Sequence, residues 1–597
     1  MKTFLLFLFF FSIAFSLYGK GVSDEQIRHL QERNRRTNLL IRDRSNGEHF
    51  NNLSSNILQP LNPRQTISGS GVETAWVRHH GAGDAFPDFV ADAVAIDSSG
   101  NVYVVGTRLA TVDGLLDFAG DIVIIKYDPY GELFWERHST MDYARSTSVA
   151  IDGEDNVVVL QTTSGVHLFA YPGFQGDFGT IKYDPNGDTL WMKRYPNYDY
   201  SVFDPSSSAT ALAIDHLKNI IVTGESYDDY ATIKYDTDGD TIWIRRYDGS
   251  EYDKPSAMVV GGNGNVYVTG ASYLFGSAYD YATVAYNFQG DTIWVRRYNG
   301  PLGNGWDKPT SIAIDGSGNV YVTGGSEGLG TYTDYVTIKY SPNGSTLWIK
   351  RLERLGEDVP LSLAADESGN VFVTGYSSIF PNYDFVTVKY AANGDTLWTR
   401  HYTGDYYGDV DLALDKYGNA YLTFPSDSEI VTMKYTPAGN EEWIAKYSYG
   451  SGTTNSPVAI KVDKTGNVYV VGTSSWGGQS VFTVIKYTQI TTSLRDTESG
   501  VPSQFVLEQN YPNPFNPSTT IRYSLSSSAQ VKLTIYNILG QVVCELANEE
   551  QSAGWKEVRW NAKDVASGIY FYKLHAGNLS AGSGQSFVEV KKMLLVR

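Results

Sequence analysis

Short alternating runs of apolar and polar residues, each bounded by Gly, Asn or Asp, recur along most of this chain of 597 residues. A period of two predicts strands rather than helices. Residues 311–352 carry one complete unit, SIAID, then GNVYVTGGS, then DYVTIKY, then STLWIKRL. The third run returns with its end at Asp128, Asp184, Asp236, Asn287, Ser341, Ala391, Thr436 and Thr488, roughly 50 residues apart. Four short antiparallel strands repeated at such a period are the mark of a β-propeller blade.

The fourth run carries a tryptophan, at Trp76, Trp135, Trp191, Trp243, Trp294, Trp348, Trp398 and Trp443. Its order is offset. TAWVRHH around Trp76 precedes the first AVAID run, whereas the last unit stops at TVIKYT without a tryptophan run after it. Unpaired sheet edges are a liability, so the strand with Trp76 is expected to complete the last blade. The reading is therefore all-β, an eight-bladed propeller over residues 72–488 closed by its N-terminal strand. The tryptophan strands lie outermost and the AID-type strands innermost.

The flanks differ from the repeats. Residues 1–19, MKTFLLFLFFFSIAFSLYG, join a lysine, a greasy run and small residues at Ala14 and Ser16, and read as a signal peptide. That apolar run is short for a membrane anchor. Residues 20–71 are polar and read as a leader, with one short helix expected near residues 25–41. Residues 489–504 form a Thr/Ser/Asp linker.

Residues 505–597 have another vocabulary: YPNPFNPSTTI, YNILGQVV, SGIYFYKL and a terminal VEVKKMLLVR. These blocks, in this order, resemble the type A C-terminal sorting domain of the type IX secretion system. The resemblance implies an immunoglobulin-like sandwich of about seven strands handled by an outer-membrane translocon. It also implies a Gram-negative host, with the cargo released or attached at the outer cell surface. The residues alone read as an all-β sandwich, since TTIRYSL, VKLTIYN and IYFYKL alternate and Pro512, Pro514 and Pro517 punctuate a loop. The repeats in turn resemble extracellular bacterial propeller repeats. The spacing from Gly187 to Trp191 is also similar to the docking motif of quinoprotein dehydrogenases, but the fuller motif and the paired cysteines are missing.

Composition narrows the partners. A net charge of −19 disfavours nucleic acid and anionic membrane surfaces, which want a basic stripe. Cys544 is the single cysteine, so intramolecular disulfides and multi-cysteine metal sites are excluded. His79, His80, His138, His167, His216 and His401 are scattered, and no nucleophile elbow, zinc helix motif or phosphate loop occurs. No catalytic residue is assigned.

Three sets of residues remain as candidate chemistry. The turn at Asp236, Asp238 and Asp240 spaces carboxylates as calcium loops do, although the equivalent SPNGS and TPAGN turns cannot chelate and a tight hairpin turn explains all of them. A carboxylate opens the third strand in seven units, among them Asp280, Asp334 and Asp384, for which pairing with nearby Lys or Arg is expected. The loops from second to third strand and from unit to unit are long, share one face and are rich in Tyr, Asp and Gly. Binding residues concentrate on such loops. Tyr252 and Asp253, Trp306 and Asp307, and Asp358 lie there just before innermost strands. Aromatic planes beside carboxylates suit a glycan or peptide, whereas Lys-Pro in the same phrases would simply shape the chain where it joins the inner strand. A non-catalytic binding protein at or outside the cell surface is the leading reading. A carbohydrate-active enzyme using carboxylates on that face and a structural or adhesion component are the alternatives.

Overall fold

The computed structural model describes residues 64–489 and 505–595, apart from 70, 82–87, 113–114, 140–143, 164–176, 196–207, 250, 277, 330–331, 355, 380–381, 405–407, 509, 511–512, 514, 516, 564 and 578–586. The expected signal peptide, the expected helix near residues 25–41, residues 490–504 of the expected linker, Pro512 and Pro514 lie outside the described residues, while Gln489 belongs to the last strand of the first unit rather than to the linker. The chain divides into two compact units, residues 1–490 and 491–597.

The described part of the first unit is built of antiparallel groups of four strands in simple meander order, such as Asp307–Ile314, Val320–Glu327, Thr333–Tyr340 and Thr346–Leu352. The first two groups, joined into one eight-strand sheet by the single pairing of Gly120 with Ala144, are counted below as separate sheets. Four chemical devices repeat from sheet to sheet. An Asp follows the first strand and closes the next turn, except after Tyr252–Val260, where Gly261 takes its place. The Oδ1 of Asp315, for example, accepts the backbone N–H groups of Ser317 and Asn319 at 2.9 Å each. The second and third strands are buried on both faces, which is why they read as VYVTG and VTIKY rather than as strict alternation. A bulge interrupts the first strand, between Pro360 and Ser362 in one sheet, and presses its backbone onto the partner strand. There Gly375 leaves no room for a side chain, since a Cβ would lie 2.6 Å from the Cα of Pro360.

The fourth device joins consecutive sheets. Indole N–H groups of Trp135, Trp294 and Trp398 donate to the carbonyls of Pro185, Pro342 and Pro437, each in the third turn of the next sheet, at 3.0, 3.0 and 3.1 Å. Lys126 and Lys389 donate to the same carbonyls as their neighbouring tryptophans. The glycine of that turn lies under the incoming indole, as Gly344 does under Trp294. The spacing from Gly187 to Trp191 thus has a structural cause, because Gly187 meets Trp135 of the preceding sheet.

Hydrophobic cores lie between consecutive sheets rather than within them. One cluster combines Tyr267, Tyr281 and Trp294 with Ile312, Val322 and Tyr340 of the following sheet. Another joins Tyr469, Val471 and Phe482 near the C-terminal end of the unit to Val94, Val104 and Val123 near its start. First strands of consecutive sheets lie side by side, with Thr310 Oγ1 donating to the carbonyl of Pro360 at 2.8 Å. The tryptophan strands take the opposite edge.

The strand Val72–His80 pairs with Gln479–Gln489, from Val72 opposite Gln489 to His80 opposite Phe482. The N-terminal tryptophan strand therefore supplies the fourth strand of the last sheet, as expected. A bulge between Thr74 and Trp76 places Trp76 opposite Lys486. One further strand precedes it, in a region that the sequence reading assigns to the leader. Arg64–Gly69 pairs with Glu441–Ser448 as a fifth strand, with Gly69 opposite Trp443.

The second unit contains a three-strand sheet (Val506–Leu507, Ser518–Leu525, Gly554–Asn561) and a four-strand sheet (Val542–Gln551, Ala529–Asn537, Gly568–Ala576, Phe587–Leu595). Ile521, Tyr523, Val531, Leu533, Trp560, Tyr572 and Met593 form the core between them. The terminal VEVKKMLL is an edge strand, partly covered where Phe515 donates its N–H to the Leu594 carbonyl at 2.9 Å.

Candidate ligand-binding face

Alternation along the strand Tyr252–Val260 decides which side chains reach solvent. Tyr252 is 52% exposed, Asp253 buried, Lys254 exposed and Pro255 buried. The next sheet repeats the order, with Trp306 55% exposed, Asp307 buried, Lys308 exposed and Pro309 buried. Aromatic and lysine thus share the open face, and the aspartates point the other way.

Each buried aspartate ties down the loop that leads into its strand. Oδ2 of Asp253 accepts the backbone N–H of Gly249 at 2.6 Å, that of Asp307 accepts Gly300 at 2.6 Å, and that of Asp358 accepts Arg354 at 3.1 Å. Burial pushes the carboxyls of Asp307 and Asp358 up, against hydrogen bonds from Ser326 and Ser377. Asn455 does the same work in the last sheet, accepting from Tyr449. These four positions need an acceptor of this length, whatever the outer face holds.

Four of the seven third-strand carboxylates are ion-paired. Asp229 meets Arg246 at 2.7 Å, Asp280 meets Arg297 at 3.1 Å, Asp334 meets Arg351 at 2.5 Å and Asp384 meets Arg354 at 3.2 Å. In the Asp236–Asp240 turn, Oδ1 of Asp236 accepts the N–H groups of Asp238 and Asp240 at 3.0 and 2.8 Å. Carboxylate oxygens of Asp229, Asp248 and Asp253 also lie within 4.8 Å of one another. Arg246 and the Gly249 N–H already engage two of those three groups.

What the open face holds is a continuous run of rings across two adjacent sheets. Tyr252 and Tyr273 pair across strands with centroids 6.3 Å apart, Tyr273 and Tyr279 lie at 5.2 Å, and Tyr279 and Trp306 at 5.8 Å. Lys308 Nζ sits 4.2 Å from the Trp306 centroid and 4.7 Å from that of Tyr279. Lys254 Nζ meets Glu225 Oε2 of the preceding sheet at 3.1 Å. The Trp306 backbone is fixed from both sides, its N–H donating to Glu327 Oε2 at 3.1 Å and its carbonyl accepting the Glu327 N–H at 3.3 Å. Sequence reasoning placed Tyr252, Trp306 and the aspartates on this face together and missed Lys254, Lys308, Tyr273 and Tyr279. The parity of the YDKP and WDKP phrases carried the missing signal. The third candidate sheet lacks the pattern, since Glu357 and Val359 flank Asp358 where the aromatic and lysine would stand.

Comparison with known proteins bears on the scaffold and on export. Residues 509–583 match the secretion system C-terminal sorting domain, and residues 293–329 match the β-propeller repeat. An uncharacterized WD repeat-containing protein of Acanthamoeba polyphaga mimivirus is 24% identical over 456 residues, 65% of this chain. The chain spans only 29% of that relative's length. Among solved structures, the WD40 domain of SCAP from fission yeast is similar at 8% identity, covering 72% of this chain and 99% of that one with a TM-score of 0.42. The exotype rhamnogalacturonan lyase YesX is similar at 13% identity, covering 69% and 76% with a TM-score of 0.41. The chain is an exported β-propeller repeat protein with a type IX sorting domain at its C-terminal end, and that domain marks it as secreted or held at the cell surface.

Proposed function

We propose that the first unit is a closed eight-bladed propeller whose long-loop face binds a glycan or protein outside the cell without turning it over. The observation that carries this reading is Trp306. It is 55% exposed at the end of a row of rings, whereas Trp76, Trp135, Trp243, Trp294, Trp398 and Trp443 are each 8% exposed or less. A large aromatic held at its backbone but open to solvent is a typical anchor for a ligand. Tyr252 and Trp306 are the contacts, and Asp253, Asp307 and Asp358 are positioning residues. Engagement of those carboxylates with their own loops supports binding over acid–base chemistry. Residues 1–19 serve as the signal peptide, and residues 505–597, read as an immunoglobulin-like sandwich, serve as the handle of the type IX machinery.

A glycan and peptide array probed with the full secreted chain tests this. Trp306→Ala should weaken any specific binding at least about tenfold with an unchanged melting temperature. Binding that survives in Trp306→Ala, or no specific binding by the native chain, overturns the reading.

A further inference from the structure

We infer that the ligand of this face is an acidic polysaccharide carrying one carboxylate per sugar, with the sugar ring on Trp306 and its carboxylate at Lys308. This rests on the reading of the face as a binding site and names the ligand class. Lys308 covers part of Trp306, yet the indole is still more than half exposed, so ring surface and cation are offered together. Among the described residues no carboxylate pairs with Lys308, whereas its counterpart Lys254 is held by Glu225. That contrast matters in a chain of net charge −19, where acceptors are abundant. Burial and the nearby Lys254 both push the Lys308 ammonium down from its ordinary pKa. A bound anion opposes both effects.

The number of charges selects among polyanions. One cation without a carboxylate partner, beside a row of edge-to-face rings, matches a polyuronate, in which each sugar presents one carboxylate near a flat pyranose face. A densely sulfated chain would bring several charges per sugar to a protein that repels them at long range. A neutral glycan would use the rings and leave the ammonium without a partner.

Titration calorimetry of the full chain in EDTA, with polygalacturonate, dextran sulfate and uncharged dextran as probes, tests the inference. Polygalacturonate is expected to bind at least about tenfold more tightly than either other polymer. Lys308→Gln should lose that preference while melting at the native temperature, and Lys308→Arg should keep it. Equal binding of polygalacturonate and dextran, lost in Trp306→Ala but kept in Lys308→Gln, overturns the acidic ligand and leaves the aromatic face standing. Preference for dextran sulfate overturns it in favour of simple polyanion exchange. No binding of any of the three also overturns it, and the array then decides whether the face binds anything else.

Discussion

The indole Nε1 of Trp76 donates to the carbonyl oxygen of Pro129 at 3.1 Å, so the N-terminal strand of the last sheet clasps the first sheet. Lys486 Nζ reaches the same oxygen at 2.8 Å, and Arg78 Nε donates to Gly131 O at 2.5 Å. The clasp is the one found between consecutive sheets elsewhere, here made by residues from opposite ends of the repeats. Trp443 shows the complement. The next sheet has no turn between third and fourth strands, because its fourth strand arrives from the N-terminus. Lys434 meets the side chain of Gln489 instead, at 2.7 Å.

Glycines under the indoles can be tested in pairs. Gly344 has φ +81°, and a Cβ there would lie 2.6 Å from Trp294, whereas Gly276 has φ +97° with nothing within 4 Å. Gly276→Ala should cost about 1–2 kcal/mol for the left-handed backbone alone. Gly344→Ala should cost clearly more, on the order of 3–4 kcal/mol, because the indole must also move. Equal losses in urea unfolding would show that the indole yields freely.

His79 should make the seam sensitive to acid. Its ring stands 4.5 Å from that of Tyr449, its Nε2 meets Tyr447 Oη at 2.6 Å, and burial pulls its pKa down to about 4 from 6.5. Between those values the unfolded chain takes up a proton that the folded chain refuses. The contribution is complete above pH 6.5 and is lost as pH falls towards 4, by on the order of 3 kcal/mol. His79→Gln should flatten this part of the stability profile. Parallel native and variant profiles from pH 7 to 4 would count against it.

The buried pair Lys234 and Asp215, 2.8 Å apart and closed to solvent, should be costly to break from one side. Burial works against the Asp215 carboxylate, but hydrogen bonds from Lys234 and Asn219 outweigh it and hold its pKa below the ordinary value. Lys234→Met leaves that charge unbalanced and should cost about 3–5 kcal/mol. Adding Asp215→Asn should recover part of the loss, which a double-mutant cycle in urea would read. Purely additive losses would contradict the coupling.

Deleting residues 505–597 should leave the first unit folded, since the two units are separately compact. In a type IX secretor the truncated protein should then collect in the periplasm. Immunoblots of fractions decide, and undiminished amounts in the medium or at the surface would refute the export role.

The strands, their grouping in fours and the partner of Trp76 were legible because alternation and repeat spacing are local signals. The extra strand Arg64–Gly69 was not, because its pairing with Glu441–Ser448 is decided by an open edge nearly 400 residues away rather than by its own pattern. The opposite register of Trp76 and Lys486 depends on a bulge that no residue type announces. On the candidate face, aromatic and acidic residues were recognisable as types. Their division between outside and inside followed from strand parity, which the phrase Asp-Lys-Pro obscures because Pro invites a loop reading.

Val72 lies opposite Gln489, so the strands that seal the first unit begin and end at the same point. Tension between the two ends of the chain would therefore pull on one rung at a time, in the manner of a zipper, rather than load all the rungs of the pair together. Gln65, which donates to Thr74, and the strand Arg64–Gly69 on the neighbouring sheet take the N-terminal share of that load first. A pull applied at both ends of the chain would thus open the strand Arg64–Gly69 before the sealing strand.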